Sequence, residues 1–572
     1  MNINEIISTF EQKDHFAPYD IYRELIKVDE SFRNDSEFGD IYSLEIFTYM
    51  WYRYSTDDVS PFWDYLQSDT DAALTYWQKR MDTVENPLLR VRYAAIIWDF
   101  ARFKKIPTDK KFAETAIDCI IKIAESNMMK DSFDSIDMLK WALNNAISIK
   151  NDDILDKIYK VSISFENNIA KDNYPGLWGF SYEMFCIDKR LRKYFSSYNI
   201  NDDIIGPIRN RFERLCNYEP SDLSKNNLSI TRSVEILADF YQKNGQNEDK
   251  INVLSMYSTA IKKANFESSL VRSHHLQDAF GMLQLYGAND LLKDIGKELN
   301  ETNSKATSEY KEILHEVPIN FEEVENVIKP FLEGNLSDAL KLFTSRYFIL
   351  KEFSQQRLNQ YTDRFILYKL MPIAIRDHKG RHTATIGTYP EDNEGQLIYH
   401  IHQEIFNNIT SFFRNKIITR IINHFQVKST DITDYLFQSP VFESSRYEII
   451  NTGVKEYLIG SFITSIHVLI PQIEEACRHL LELLGGNIYK RIRNGGIQLK
   501  TFDDVLNDSA ILHSLNDIAL YLRVLYTDPR GMNLRNNICH GFYPPEIMNF
   551  AVAELVLHSL LCISLIRKED KQ

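Results

Sequence analysis

Glycine and proline are scarce in this chain. Its 572 residues hold 20 Gly and 16 Pro, about half of the roughly 12% that the two usually contribute. Only Gly39 precedes Gly176. So few turn-forming residues predict long helices joined by polar loops and argue against a sandwich, a barrel or a low-complexity protein. Cysteine is scattered as well. Cys119, Cys186, Cys216, Cys477, Cys539 and Cys562 form no Cys-x-x-Cys pair and are expected to be reduced, mostly core thiols of a cytoplasmic protein. Long apolar runs are missing. The stretches 457–470 and 551–566 are too short for a membrane span or carry Glu554 and His558, so no membrane contact is expected. The first residues lack the basic-then-apolar pattern of a secretion signal. Positive charge is in deficit: 66 Lys and Arg against 80 Asp and Glu leave −14. That balance argues against indiscriminate coating of nucleic acid, although a local basic cleft remains compatible with it. No G-x-x-x-x-G-K-[ST] stretch marks a P-loop.

What is present organises the chain into four segments. Residues 1–210 read as an N-terminal helical domain that carries all six tryptophans, Trp51, Trp63, Trp77, Trp98, Trp141 and Trp178. The helical apolar spacing around them, as in Leu88, Leu89, Val91, Ala94, Ala95, Ile96 and Trp98, marks core residues. Residues 211–317 continue as paired amphipathic helices without a fixed repeat, which predicts an irregular solenoid or bundle. In the middle segment, 318–440, two short alternating runs around Gly380 predict a β-hairpin over 373–386. Residues 441–572 read as a helical bundle. A helix is expected from Ser445 to about Ile470, with Pro471 as a kink or break and a continuation to Gly485-Gly486. A basic glycine-flanked stretch follows, then a Thr501/Asp504 capping box, a helix over 511–526, and a last helix opened by Pro544-Pro545. The class is mainly α.

The sharpest chemical signal is Arg535-Asn536-Asn537-Ile538-Cys539-His540. Its spacing alone carries no weight, because chance predicts roughly two Arg-x4–6-His matches and the chain has two, the other being Arg376-x5-His382. Context is more informative. On a helical turn Asn536 and His540 share a face, with Arg535 beside them. Gly541 suits a C-terminal stop and places His540 at the negative helix end, where an imidazole serves as acid or base. A guanidinium binds phosphate oxygens in two-pronged fashion. Arg, an amide and His suffice for RNA cleavage in which the ribose 2′-hydroxyl attacks, a reaction that DNA cannot undergo.

Leu534-Arg535-Asn536-x-x-x-His540-Gly541, near the start of the last hairpin of a helical C-terminal domain, resembles the HEPN superfamily signature. The surrounding Leu469-Ile-Pro-Gln-Ile-Glu474-x-x-x-Arg478-His479 and Tyr526-Thr-Asp-Pro-x-Gly531-x-Asn533 are similar to a bacterial branch with a large helical N-terminal part and a domain of unknown function. The match covers about residues 440–570. The resemblance implies a metal-independent endoribonuclease, often a toxin or antiviral defence effector. It also implies a site composed from two HEPN domains, hence a homodimer. In that frame Arg535 holds the scissile phosphate, His540 is the general base or acid, and Asn536 orients or binds. Other HEPN domains only dimerise or bind nucleotides, so a non-catalytic helical interaction protein is the alternative.

Further candidates surround the motif. Lys490, Arg491, Arg493, Lys500 and Arg530 are expected to form an RNA-backbone track or a solvated basic loop. Between 441 and 572, 13 Lys and Arg face 15 Asp and Glu, so most of the acidic excess lies elsewhere. Glu475 and His479, four residues apart on a helix, are expected to support His540 or form a surface pair. His400-x-His402-x-Glu404 and His274-His275 lack further ligands, so no metal and no cofactor is expected. Cys539, beside His540, is expected in the core. The N-terminal helices are expected to bind a protein partner or trigger.

Overall fold

Pro87 opens a helix, Pro87–Phe103, at the position where its missing N–H costs nothing, and the Asn86 side chain caps Leu88 N–H. This helix is buried nearly all round because it packs against both Thr70–Thr83 and Lys111–Glu125. The computed structural model describes residues 2–28, 36–50, 70–309, 320–410, 412–491 and 495–567. Trp51, Trp63 and Arg493 lie outside them. The chain divides into two compact units, Met1–Lys305 and Ala306–Gln572.

In the first unit, Lys111–Glu125, Ser132–Ile149 and Asp152–Ile169 pack each on its predecessor, and the first of these also touches the third. Asn227–Lys243, Asn247–Lys263 and Ser269–Leu285 repeat the arrangement. One hydrophobic cluster runs from Ile6 to Ile295, so the segments 1–210 and 211–317 share a core. The four described tryptophans are buried in it, and ring N–H groups find acceptors: Trp98 on Asn145 Oδ1 at 2.7 Å, Trp141 on Asp99 Oδ2 at 2.9 Å, Trp178 on the Lys171 carbonyl at 3.2 Å. Burial pushes the Asp99 carboxyl up to about 7. Glu45, fully buried, is compensated by Arg80 at 2.8 Å and by the hydroxyls of Tyr76 and Tyr93.

The second unit also has one core, from Val324 to Ile563, which spans both the 318–440 and 441–572 segments. The expected hairpin is formed by strands Ile373–Arg376 and His382–Ile386, paired antiparallel with Ile373 opposite Ile386. A second hairpin, Tyr489–Arg491 with Ile497–Leu499, occupies the stretch read as a basic loop. Strands of three residues are too short to show an alternating pattern.

The long helix breaks where the sequence reading did not place the break. Tyr447–Leu458 ends at Gly460, which takes φ +84° while Gly460 N–H and Ser461 N–H bond the carbonyls of Tyr457 and Glu456. That is a glycine-terminated Schellman end. The following helix, Phe462–Leu483, runs straight through Pro471. Proline removes the bond to the His467 carbonyl, but Pro471 and His467 both lie on the exposed face of the helix, where that loss costs least. Likewise the helix expected over 511–526 is two, Ser509–Leu515 and Asp517–Tyr526, broken at Asn516 with φ +31°.

The terminal helix, Phe550–Ile563, is buried on every side and carries Glu554 and His558 inward. Arg414 Nε lies 2.7 Å from Glu554 Oε2, and Arg414 Nη2 donates to Oε1 at 3.1 Å. His558 sits between the Tyr521 hydroxyl, 3.0 Å from Nδ1, and the Thr344 carbonyl, 3.3 Å from Nε2. These polar groups tie the last helix to three other elements and fix the platform on which the motif rests. Among the described residues no helix is long and apolar enough to cross a membrane.

Candidate functional site

Residues Leu534–Cys539 form the short helix that the motif predicts. Its start is bent: Asn533 has φ +48°, a conformation that asparagine tolerates better than most residues. At its end His540 is the cap residue. Gly541 takes φ +67°, Gly541 N–H bonds the Ile538 carbonyl at 3.0 Å, and Phe542 N–H bonds the Asn537 carbonyl at 2.7 Å. Two orphan carbonyls are thereby satisfied, again in the Schellman manner. The stop expected at Gly541 is present, and it turns the chain so that His540 is exposed. The His540 ring makes no hydrogen bond to a described residue. Its neighbour is the Phe542 ring, with centroids 5.9 Å apart.

Arg535 points to the long helix Phe462–Leu483. Its Nε–H donates to Glu474 Oε2 at 3.0 Å, and its Nη1 donates to Asn536 Oδ1 at 3.2 Å. Asn536 in turn donates from Nδ2 to Asn533 Oδ1 at 2.7 Å. The other oxygen of Glu474 accepts from Arg478 Nη2 at 2.8 Å. One carboxylate therefore serves two guanidiniums. Arg478 also pairs with Glu475, whose Oε1 lies 3.5 Å from Arg446 Nη2. The result is a chain of alternating charges that orders Arg535 and the Asn533–Asn536 turn.

Neither Glu475 nor His479 is bonded to His540 or to the other; the carboxylate that meets the motif is Glu474, and it meets Arg535. One position along a helix rotates a side chain by about 100°, which turns Glu475 toward Arg446 and leaves the motif-facing position to Glu474. His479 Nδ1 lies 3.8 Å from Glu443 and 3.7 Å from Glu482.

The proposed backbone track is largely compensated. Lys490 is paired with Asp504, which holds that carboxyl down at about 2. Lys500 Nζ is 2.8 Å from Asp508, and Arg530 donates to both oxygens of Asp528 at 2.9 Å. The Thr501/Asp504 capping box forms as expected and recruits Lys490 with it. Arg491 is exposed, and Arg493 lies outside the described residues.

Cys539 is exposed rather than in the core, because the helix turns only its Leu534 and Ile538 face inward. Desolvation raises its thiol above the usual range, which disfavours the thiolate and a nucleophilic role. His400 Nε2 lies 3.4 Å from Glu404, and burial lowers the pKa of His402. His275 stacks on Phe266 and meets Asn227 Nδ2 at 2.7 Å. Among the described residues no group of three His, Cys, Asp or Glu side chains is placed to hold a metal ion.

Arg381, Phe542 and Tyr543 were not singled out by sequence. The turn of the first hairpin brings Arg381 over Phe542, 5.3 Å from the ring centroid. Compared with family models, curated proteins and solved structures, the chain matches none of them.

Proposed function

We propose that this protein is an endoribonuclease of the HEPN type that needs no metal ion, acting as a toxin or antiviral defence effector. The observation that carries the reading is the pairing of an exposed imidazole with a fixed guanidinium. His540 is open to solvent at the end of a six-residue helix, and Arg535, on the same helix, is oriented by Glu474 at 3.0 Å. In the reaction, His540 takes the proton of the ribose 2′-hydroxyl. The 2′-oxygen attacks phosphorus, the bond to the 5′-oxygen breaks, and the leaving oxygen is protonated. Products are a 2′,3′-cyclic phosphate and a 5′-hydroxyl end. Arg535 stabilises charge on the phosphate through the guanidinium edge not used by Glu474.

Such a reaction needs an acid as well as a base. With one motif per chain, a second copy supplies the other imidazole, so the active form is a homodimer joined through the C-terminal domain. The helical first unit binds the protein partner or trigger.

Two observations favour a second reading. Arg535 is committed to an ion pair, and Phe365, Ile366, Leu367, Leu370 and Met371 are all more than half exposed within seven residues. An interaction protein whose C-terminal domain mediates dimerisation or nucleotide binding fits these two facts.

Expression toxicity separates the readings. The ribonuclease reading predicts that wild type arrests growth and degrades cellular RNA and that Arg535→Ala or His540→Ala relieves both. Equal toxicity of all three chains contradicts the ribonuclease reading.

A further inference from the structure

The hairpin 373–386 takes no part in the reaction as drawn, yet its turn lies against the motif. Arg381 covers Phe542, and the His378 ring is 6.3 Å from the Tyr543 ring. Phe542, 44% exposed, is also the ring that neighbours His540. Both sides of this contact are braced. Asp377 Oδ1 accepts from the backbone N–H groups of Lys379 and Arg381, each at 2.9 Å, and Oδ2 accepts from Arg381 Nε at 2.7 Å. Gly380 takes φ +74°, and its carbonyl accepts from Arg376 Nη1 at 2.8 Å. On the other side the Tyr543 hydroxyl donates to the Met532 carbonyl at 2.9 Å, next to the start of the motif helix.

Charge and shape then point to one class of ligand. Residues 376–381 hold Arg376, Lys379 and Arg381 against Asp377 alone, with His378 and Lys379 exposed at the tip. An exposed aromatic ring beside cations is the arrangement that binds single strands, with a base stacked on the ring and phosphates along the cations. A duplex hides its base faces and offers nothing for Phe542 to stack on. The basic stretch around the second hairpin is a poorer candidate, because both of its lysines, Lys490 and Lys500, are neutralised by Asp504 and Asp508; in the turn Arg381 is likewise paired, with Asp377, but Lys379 is exposed at the tip.

We infer that the turn 377–381 and Phe542 form a contact surface for single-stranded RNA that leads the strand to His540. Lys379 and His378 contact phosphates, and Phe542 supports a base beside the reacting nucleotide. This rests on the ribonuclease reading for its purpose but not for its test.

The test is binding of a short, labelled, uridine-rich single strand to the full-length His540→Ala chain, so that no cleavage intervenes. Adding Lys379→Ala lowers the slope of log K against log salt by about 0.7, the signature of one lost single-strand phosphate contact. Adding Phe542→Ala weakens binding about tenfold or more, and Phe542→Tyr restores it. Unchanged slope and affinity in these variants overturn the inference, as does absence of single-strand binding or preference for duplex. If the hairpin variants lose binding but wild type cleaves nothing, the inference stands and the ribonuclease reading falls. If wild type cleaves while the variants bind normally, the inference alone falls.

Discussion

Arg535 Nε–H donates to Glu474 Oε2 at 3.0 Å, joining the motif helix to the long helix 61 residues earlier in the chain. Both side chains are largely shielded, at 28% and 14% exposure, and Glu474 is shared with Arg478. Removing this carboxylate takes away the ion-pair partner of Arg535 and leaves Arg478 with Glu475 alone. Glu474→Ala is expected to lower unfolding free energy by about 1–3 kcal/mol and to reduce RNA cleavage although Glu474 touches no substrate. Urea denaturation with a double-mutant cycle against Arg535→Ala checks the coupling. Additive effects contradict it.

Gly541 supplies the positive φ that ends the motif helix, and open space surrounds the position of an added Cβ. Gly541→Ala is therefore expected to cost about 1 kcal/mol through backbone strain alone. Because His540 is the adjacent cap, cleavage falls further than stability does. Thermal unfolding and cleavage rates on the same preparation separate the two effects.

The Arg414–Glu554 pair is the deepest charge in the second unit, with each side chain 1% exposed. Arg414→Ala strands a buried carboxylate and is expected to cost about 3–5 kcal/mol. Replacing both residues by apolar side chains of similar volume costs less than either single change. Chemical denaturation of the three variants decides this.

His558 is held neutral, its pKa pushed well below the usual value of 6.5 by burial and by Arg414. In the unfolded chain it takes up a proton below about 6.5, whereas in the fold it does not. The unfolded state thus binds more protons, and stability falls as pH drops below that value, by up to about 1.4 kcal/mol per pH unit. His558→Gln is expected to flatten this part of the stability–pH curve. An unchanged slope between pH 6.5 and 5 would contradict the assignment.

Much of the fold was legible because glycine and apolar spacing act locally. The hairpin around Gly380 and the stop at Gly541 are backbone requirements that a reader sees in the residues themselves. Pro471 misled for the same reason in reverse. Proline disfavours a helix interior, but its cost depends on whether the freed carbonyl faces water, and only the packing of the long helix reveals that. The choice of Glu474 over Glu475 depended on helix rotation relative to the motif, which spacing along one helix does not specify. The basic track looked open because its aspartates, Asp504, Asp508 and Asp528, are separated in sequence from some of the cations they neutralise. Nothing in the pattern of residues 376–382 told that their turn would lie on Phe542, since that contact joins positions some 160 residues apart.

In the proposed reaction Arg535 and His540 together cut RNA. The most direct measurement incubates the purified full-length chain, with its activating partner where one is needed, with end-labelled RNA in the presence of EDTA, and identifies the new ends. The account predicts 2′,3′-cyclic phosphate and 5′-hydroxyl termini from wild type, undiminished by EDTA, and a loss of about 100-fold or more in Arg535→Ala and His540→Ala. Intact RNA with wild type, equal cleavage by the two variants, or abolition by EDTA would contradict it.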